Sequence, residues 1–220
     1  MKRYSVAVYF LLFLTADSLV FSEIAADRAK AETLLPTLPA QYKIDPARSN
    51  FMVNADRAGL AWFKGHSHRI AVRDFQGEAS LMPDALNPAS LSMTIRSNSL
   101  EETDPVFTPE QKAMIKKELD EIVLESDKYP EITFNSTAVK GTIKNGAFEV
   151  KINGDLTLHG VKRQITIPAV VTLDGNDLRA VGEFEIDRKD FNVNATNAFH
   201  GMVRVKHTLK FVFDIIGRRI

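Results

Sequence analysis

Phe148-Glu149-Val150-Lys151-Ile152-Asn153-Gly154-Asp155-Leu156-Thr157-Leu158 alternates apolar and polar residues almost without a break, with Gly154 standing in an apolar slot. A period of two means a strand with one face buried and the other in water. The pattern continues on both sides. From Ile132 to Ile215 the chain reads as five strands, roughly 132–143, 147–158, 163–173, 178–187 and 203–215. Asn145-Gly146 is a two-residue hairpin signal, and His159-Gly160 and Asp174-Gly175-Asn176-Asp177 mark the next two turns. Strands joined by such tight turns form an up-and-down meander. A meander of enough strands closes on itself, because closure removes exposed edges.

Upstream the same period is shorter and less regular. Phe51, Val53 and Ala55 share one face; so do Phe75, Gly77, Ala79 and Leu81, and then Leu91, Met93 and Ile95. Between Thr108 and Leu124 the period becomes helical. Thr108 is an N-cap, Pro109 suits the first helical position, and Gln111 completes a capping box. Ile115, Leu119 and Ile122 then form one apolar stripe, as expected of a helix plugging or flanking the sheet. With three or four early strands the total is about eight, enough for a barrel just wide enough for side chains or one slender ligand.

Alternation assigns the inward residues. They are Ile132, Phe134, Ser136 and Ala138, then Phe148, Val150, Ile152, Leu156 and Leu158, then Ile165, Ile167, Ala169, Val171 and Leu173. Leu178, Ala180, Gly182, Phe184 and Ile186 follow, and the last strand adds Val203, Val205, His207, Leu209, Phe211, Phe213 and Ile215. Small residues at inward positions leave room. A packed barrel fills that room with larger side chains and a binding barrel with a ligand, and alternation alone leaves both open. An open lumen of this kind takes a long apolar molecule, since each buried methylene contributes about 0.8 kcal/mol.

The bulk figures narrow the classes. The chain has 220 residues, 45% hydrophobic and 25% charged, with 28 basic and 28 acidic residues and no formal net charge. That balance gives no basic surface for nucleic acid. The absence of cysteine excludes disulfides, zinc–thiolate sites, thiol catalysis and iron–sulfur clusters. Residues 1–22 read as an export signal: Met1-Lys2-Arg3 is positive, Val6–Leu14 is a short apolar run, and Val20-Phe21-Ser22 offers a cleavage site. Residues 23–40 read as a flexible lead-in and 41–217 as one barrel domain. The expected location is periplasmic or secreted.

Four stretches carry a resemblance. Ser126-Asp127-Lys128-Tyr129-Pro130-Glu131-Ile132-Thr133-Phe134, Gly154-Asp155-Leu156-Thr157-Leu158-His159-Gly160-Val161, Ile186-Asp187-Arg188-Lys189-Asp190-Phe191-Asn192-Val193 and Tyr42-Lys43-Ile44-Asp45 resemble signatures of YceI-like proteins, in order and in spacing. Asn192 stands where glycine is usual. The resemblance covers about residues 42–215. It implies a mostly β fold: an exported, eight-stranded antiparallel lipocalin-like barrel with a flanking α-helix, whose lumen holds isoprenoid-type lipid. On that implication Phe134, Phe148, Val150, Ile152, Leu156, Leu158, Ile167, Phe184, Val205, His207, Leu209 and Phe211 are the ligand-binding residues. The implied partner is an isoprenoid-type lipid, a quinone or another long amphiphile, delivered through transient contact with a membrane or membrane protein. Gly65-His66-Ser67-His68 looks more like a sub-branch with a Gly-His-x-His element.

The polar candidates divide between chemistry and structure. His66 and His68, at i and i+2 on a strand, would share a face and could meet one metal ion, but a metal site wants at least three protein ligands. His200, His207 or Asp74 are the candidates for a third; otherwise the two histidines belong to the barrel mouth, hydrogen-bonded to backbone or facing a lipid head group. His207 falls in an apolar face, either satisfied within the core or touching a head group. Arg57 follows Ala55 on the inward face by alternation, where it either partners an anionic head group or lies past the end of the strand. Arg188 and Asp190 read as a pair fixing a turn, and Glu101, Glu102 and Asp104 as a solvated loop. There is no Gly-x-Ser-x-Gly, no His-Glu-x-x-His and no phosphate loop. The expected role is therefore binding without catalysis, with a metal-dependent site at His66 and His68 or a packed protein-interaction barrel as alternatives.

Overall fold

The computed structural model describes residues 38–58, 66–83, 85–194 and 204–220. The expected export signal, most of the lead-in, and Gly65, His200 and Val203 lie outside the described residues. β1 is Ala40–Ile44, β2 Asn50–Ala58, β3 His68–Val72, β4 Phe75–Met82, β5 Ala85–Arg96 and β6 Leu100–Glu102. A helix, α1 (Pro109–Glu118), comes next, followed by β7 (Glu131–Lys144), β8 (Ala147–Leu158), β9 (Val161–Asp174), β10 (Asp177–Asp187) and β11 (Arg204–Arg219).

β8 carries the stretch that opened the sequence reading. Phe148, Val150, Ile152, Gly154, Leu156 and Leu158 are all buried, and the residues between them are not. The strand pairs along its length with β7 on one side and β9 on the other. The turns before and after β8 use residues with positive φ: Asn145 and Gly146 at 52° and 77°, His159 and Gly160 at 52° and 73°. Two successive left-handed residues match the twist of a two-residue hairpin, so the Asn-Gly and His-Gly pairs set the register of both turns.

Each of the three early staves is broken in two. β1 and β2 are separated by one 3-10 turn, capped where Asp45 Oδ1 accepts from Ala47 N–H at 3.1 Å. Both halves lie along β11: β1 meets Gly217–Arg219 and β2 meets the Arg204–Asp214 portion. β3 and β4 part at Arg73-Asp74, and β5 and β6 part at Ser97–Ser99. Rejoined, these pieces make three staves, and β7 to β11 add five. All neighbours are antiparallel, and the pairing of β1 with both β4 and β11 closes the ring. Among the described residues the fold is thus a closed eight-stave antiparallel barrel with one short helix.

α1 starts where the sequence places it. Thr108 Oγ1 accepts from Gln111 N–H and Gln111 Oε1 accepts from Thr108 N–H at 2.8 Å, completing the capping box. The stripe does not run as an unbroken α-helix would carry it. Over Leu119–Val123 the helix widens, and Leu124 N–H donates to Leu119 O, five residues back, at 2.8 Å. The extra residue per turn rotates Ile122 outward, where it is 53% exposed, and brings Val123 inward beside Ile115 and Leu119.

Two bulges correct the alternation. In β7 the register slips between Ser136 and Ala138, so Ala138 opposes Asn153 on the outer face and Val139 takes the inward place opposite Ile152. In β11 the register with β2 slips between Val205 and Leu209. That bulge turns His207 out of the lumen.

Two ladders in the ring are short. β9 and β10 pair only over Val170–Asp174 and Asp177–Val181; the 3-10 turn after β10, with Phe191 and Val193 buried, packs where they diverge. β5 and β7 pair only over Ser92–Arg96 and Glu131–Asn135. Above that seam Leu91 N–H donates to Ser136 Oγ at 2.8 Å instead of to a carbonyl.

Candidate ligand-binding site

The inward glycines are not where the lumen opens. A Cβ on Gly154 would lie 2.5 Å from the Phe134 ring, and one on Gly182 would lie 2.6 Å from the Phe213 ring. Aromatic rings from the neighbouring strands fill both gaps. The barrel nonetheless encloses a cavity of about 270 Å³, lined almost entirely by carbon. A water needs only ~10–15 Å³ of such space and several polar partners, which these walls do not offer.

Most of the residues singled out from the sequence come together here. Phe134 of β7 lines the cavity, as do Phe148, Val150, Ile152, Leu156 and Leu158 of β8. Ile167 of β9, Phe184 of β10, and Val205, Leu209 and Phe211 of β11 complete the wall on that side. Phe184 stacks on Phe211 with ring centroids 4.7 Å apart, and Phe211 leans on Phe51 at 6.2 Å. His207 is the exception. Its side chain is 53% exposed, with Nδ1 2.7 Å from Asp187 Oδ2 on the barrel's outer surface. Lys189 N–H, and after it His207, hold the Asp187 carboxyl below the usual carboxylate range.

Alternation in the strong meander could not supply the rest of the lining. Ile44, Ile70, Val72 and Leu100 come from the broken staves, and Ile115, Leu119, Val123 and Leu124 close the end beneath the helix. Ile44, Ile70, Val72 and Leu100 sit on strands of three to five residues, too short to display a firm period, although in the run His68-Arg69-Ile70-Ala71-Val72 every second residue faces in. Ile115 and Leu119 belong to the helical stripe read from the sequence, and Val123 and Leu124 reach the lining through the widened turn.

The polar side chains at the helix end of the cavity are His68, Glu118 and Arg188. Arg188 does not pair with Asp190: its Nη1 donates to Val193 O at 2.7 Å, and its Nε to Lys206 O at 3.4 Å. It ties the turn after β10 to the backbone carbonyls of Val193 and of Lys206 on β11. Glu102 is likewise no loop residue. It lies opposite Ile70 on the inward face of β6, with a fully buried side chain. Its Oε2 is 2.8 Å from His68 Nδ1, and its Oε1 accepts from Asp104 N–H at 2.8 Å and Arg69 N–H at 3.2 Å. Burying a carboxylate is costly unless such donors surround it. Phe107 stacks on the His68 ring at 5.3 Å and meets the His66 ring edge-on at 5.6 Å. His66 is exposed, and among the described residues no three His, Asp or Glu side chains converge as a metal site would need.

A second histidine stands at the same end. His159, in the turn between β8 and β9, is buried against Tyr129 with ring centroids 4.3 Å apart. Its Nε2 lies 2.6 Å from Glu125 Oε2, outside hydrogen-bonding alignment.

Known proteins are similar to this chain in sequence and in fold. The family model of the YceI-like domain matches residues 42–215. Protein YceI of Escherichia coli O6:H1 is 34% identical over 193 residues, covering 83% of this chain and 86% of that protein. Protein YceI of Salmonella arizonae is 34% identical over 164 residues, covering 70% and 76%. Among solved structures, Burkholderia cenocepacia BcnA superposes with a TM-score of 0.63 at 20% identity, over 79% of this chain and 98% of that one. A polyisoprenoid binding domain from Saccharophagus degradans gives 0.63 at 13% identity, over 84% and 100%. At such identities the structural likeness is one of fold. The sequence matches carry more: a domain model spanning the whole barrel, together with relatives of one-third identity over most of their length, places this chain in the YceI-like family.

Proposed function

We propose that this chain is an exported carrier that holds one long apolar or amphipathic molecule, isoprenoid in character, inside its barrel. The observation that carries the reading is the lumen itself: about 270 Å³ bounded by aliphatic and aromatic side chains, with its polar residues gathered mainly at one end. An unfilled cavity of that size costs a fold on the order of 6 kcal/mol at ~24 cal/mol per Å³. That is comparable to the whole stability of an ordinary domain, ~5–15 kcal/mol. A chain of about ten buried carbons contributes ~8 kcal/mol by area removed from water, enough to exceed the lower estimates of association cost, ~4 kcal/mol and upward. The polar end of the ligand belongs beside His68, Glu118 and Arg188. The polyisoprenoid binding of the Saccharophagus degradans domain supports the choice of ligand class. Residues 1–22 support export. Carriage, storage or sequestration follows without covalent chemistry.

The test is a native mass spectrum of the gently purified protein beside its denatured mass. A reproducible excess of several hundred daltons, recovered by organic extraction as a prenyl lipid, is expected. A folded protein with no excess, which also fails to take up prenyl lipids added in detergent, refutes the reading.

A further inference from the structure

We propose that Glu102 and His68 form a head-group site, in which His68 Nε2 accepts a hydrogen bond from an uncharged hydroxyl at the polar end of the lumen ligand. This rests on the lipid-barrel reading above and adds what the barrel selects for.

The geometry leaves His68 little choice. Its Nδ1 is 2.8 Å from a carboxylate oxygen, and a carboxylate can only accept, so Nδ1 carries the proton. Glu102 is itself pinned, because its other oxygen takes two backbone N–H groups. The ring plane is set by Phe107, parallel to it within 5°. In the neutral imidazole, with one edge and one face fixed, the opposite edge of the ring presents the Nε2 lone pair. Among the described residues no group donates to it. His68 lines the cavity on the same strand face as Ile70 and Val72, so that lone pair sits at the end of an apolar lumen. A neutral imidazole whose Nδ1–H is held by a carboxylate is a strong acceptor at Nε2. Both amides serve Oε1, so the Nδ1–H of His68 satisfies Oε2 and the same pairing fixes the tautomer.

Charge decides against an anionic head. Behind His68 lies the buried Glu102 carboxylate, and Glu118 also faces the cavity. Among the described residues the cation that lines it is Arg188, which is directed to the carbonyls of Val193 and Lys206. A phosphate at Nε2 would place negative charge in line with a fixed, desolvated negative charge. A hydroxyl meets no such repulsion and supplies the donor that Nε2 requires.

The experiment uses delipidated full-length mature protein and three probes of one chain length: farnesol, farnesyl methyl ether and farnesyl phosphate. Wild type is expected to bind farnesol about 2- to 12-fold more tightly than the ether, the range of one net hydrogen bond. Farnesyl phosphate is expected to bind no better than farnesol. His68→Phe keeps the ring and its stacking, and should bind farnesol and the ether alike. Glu102→Gln offers an amide N–H to Nδ1 and moves the proton to Nε2, and should also lose the preference for farnesol; circular dichroism checks that both variants fold. Equal binding of farnesol and ether by wild type, a preference for phosphate, or a farnesol preference that survives His68→Phe would overturn the head-group site and leave the barrel reading standing. Failure of wild type to bind any of the three would overturn both.

Discussion

Ala169→Phe separates a lumen from a packed core by the sign of one number. Ala169 is buried on β9, opposite Val150, and both line the cavity. A phenyl group there would occupy about a third of the 270 Å³. At ~24 cal/mol per Å³ of cavity removed, the gain is about 2 kcal/mol for the ligand-free protein. For a folded unit of this size that is a rise in Tm of about 4–8 °C. If the interior were packed, the same phenyl would force off-rotamer side chains and cost ~1–3 kcal/mol. Scanning calorimetry of delipidated wild type and variant decides between the two. The variant should melt higher and should lose most of the stabilisation that added farnesol gives wild type. A lower Tm in the delipidated variant would refute the cavity argument and, with it, the energetic case for a ligand.

Gly154→Ala should be damaging despite its small size, because its Cβ would meet Asn135 O as well as the Phe134 ring, each at 2.5 Å. A loss of ~1–3 kcal/mol in urea unfolding is expected; an unchanged midpoint would show that the two strands can part at that point. Acid should also weaken the fold. Arg48 beside Asp177 and Arg179 beside Asp214 hold those two carboxyls below their usual range, as the Lys189 N–H does for Asp187. A carboxyl lowered only in the folded state contributes stability above about pH 4 and loses it as pH falls through the folded value. The urea midpoint should therefore drop between pH 5 and pH 3, and a flat profile there would refute the attribution.

The halves of the barrel differ in how openly their residues declare them. β7 to β10 are long strands joined by left-handed turn residues, and only the β7 bulge interrupts their alternation, so local pattern and tertiary fold largely agree. The early staves are cut by Asp45, by Arg73-Asp74 and by Ser97–Ser99; β2, β4 and β5 still show the period, β1, β3 and β6 are too short for one to emerge, and only long-range pairing reassembles the staves. His207 reads as inward because a bulge leaves no mark in residue type. Val123 replaces Ile122 because widening of a helical turn is decided by what the helix packs against. Glu102 is the most instructive miss. Amid Glu101, Thr103 and Asp104 it reads as one more solvated charge, yet it faces inward opposite Ile70, and three donors surround it. Its place follows from alternation with Leu100 across a three-residue strand, a signal too brief to separate from chance.

The seam between β5 and β7 bears on how long a guest the protein can house. Beyond Ser92 and Asn135 these staves share no ladder among the described residues, and Pro88 has no N–H to offer across the gap. Ala89 and Leu91 on one side and Val139 on the other face the lumen, and Ile143 farther along is 47% exposed. A fully laddered barrel would give a tail no way out through its wall. Here the wall is held together by side chains along its last stretch, and side chains rearrange without breaking a backbone ladder. On the proposed reading, the tail of a longer guest would leave through the wall, and the head at the opposite end, more than chain length, would set which molecule is kept.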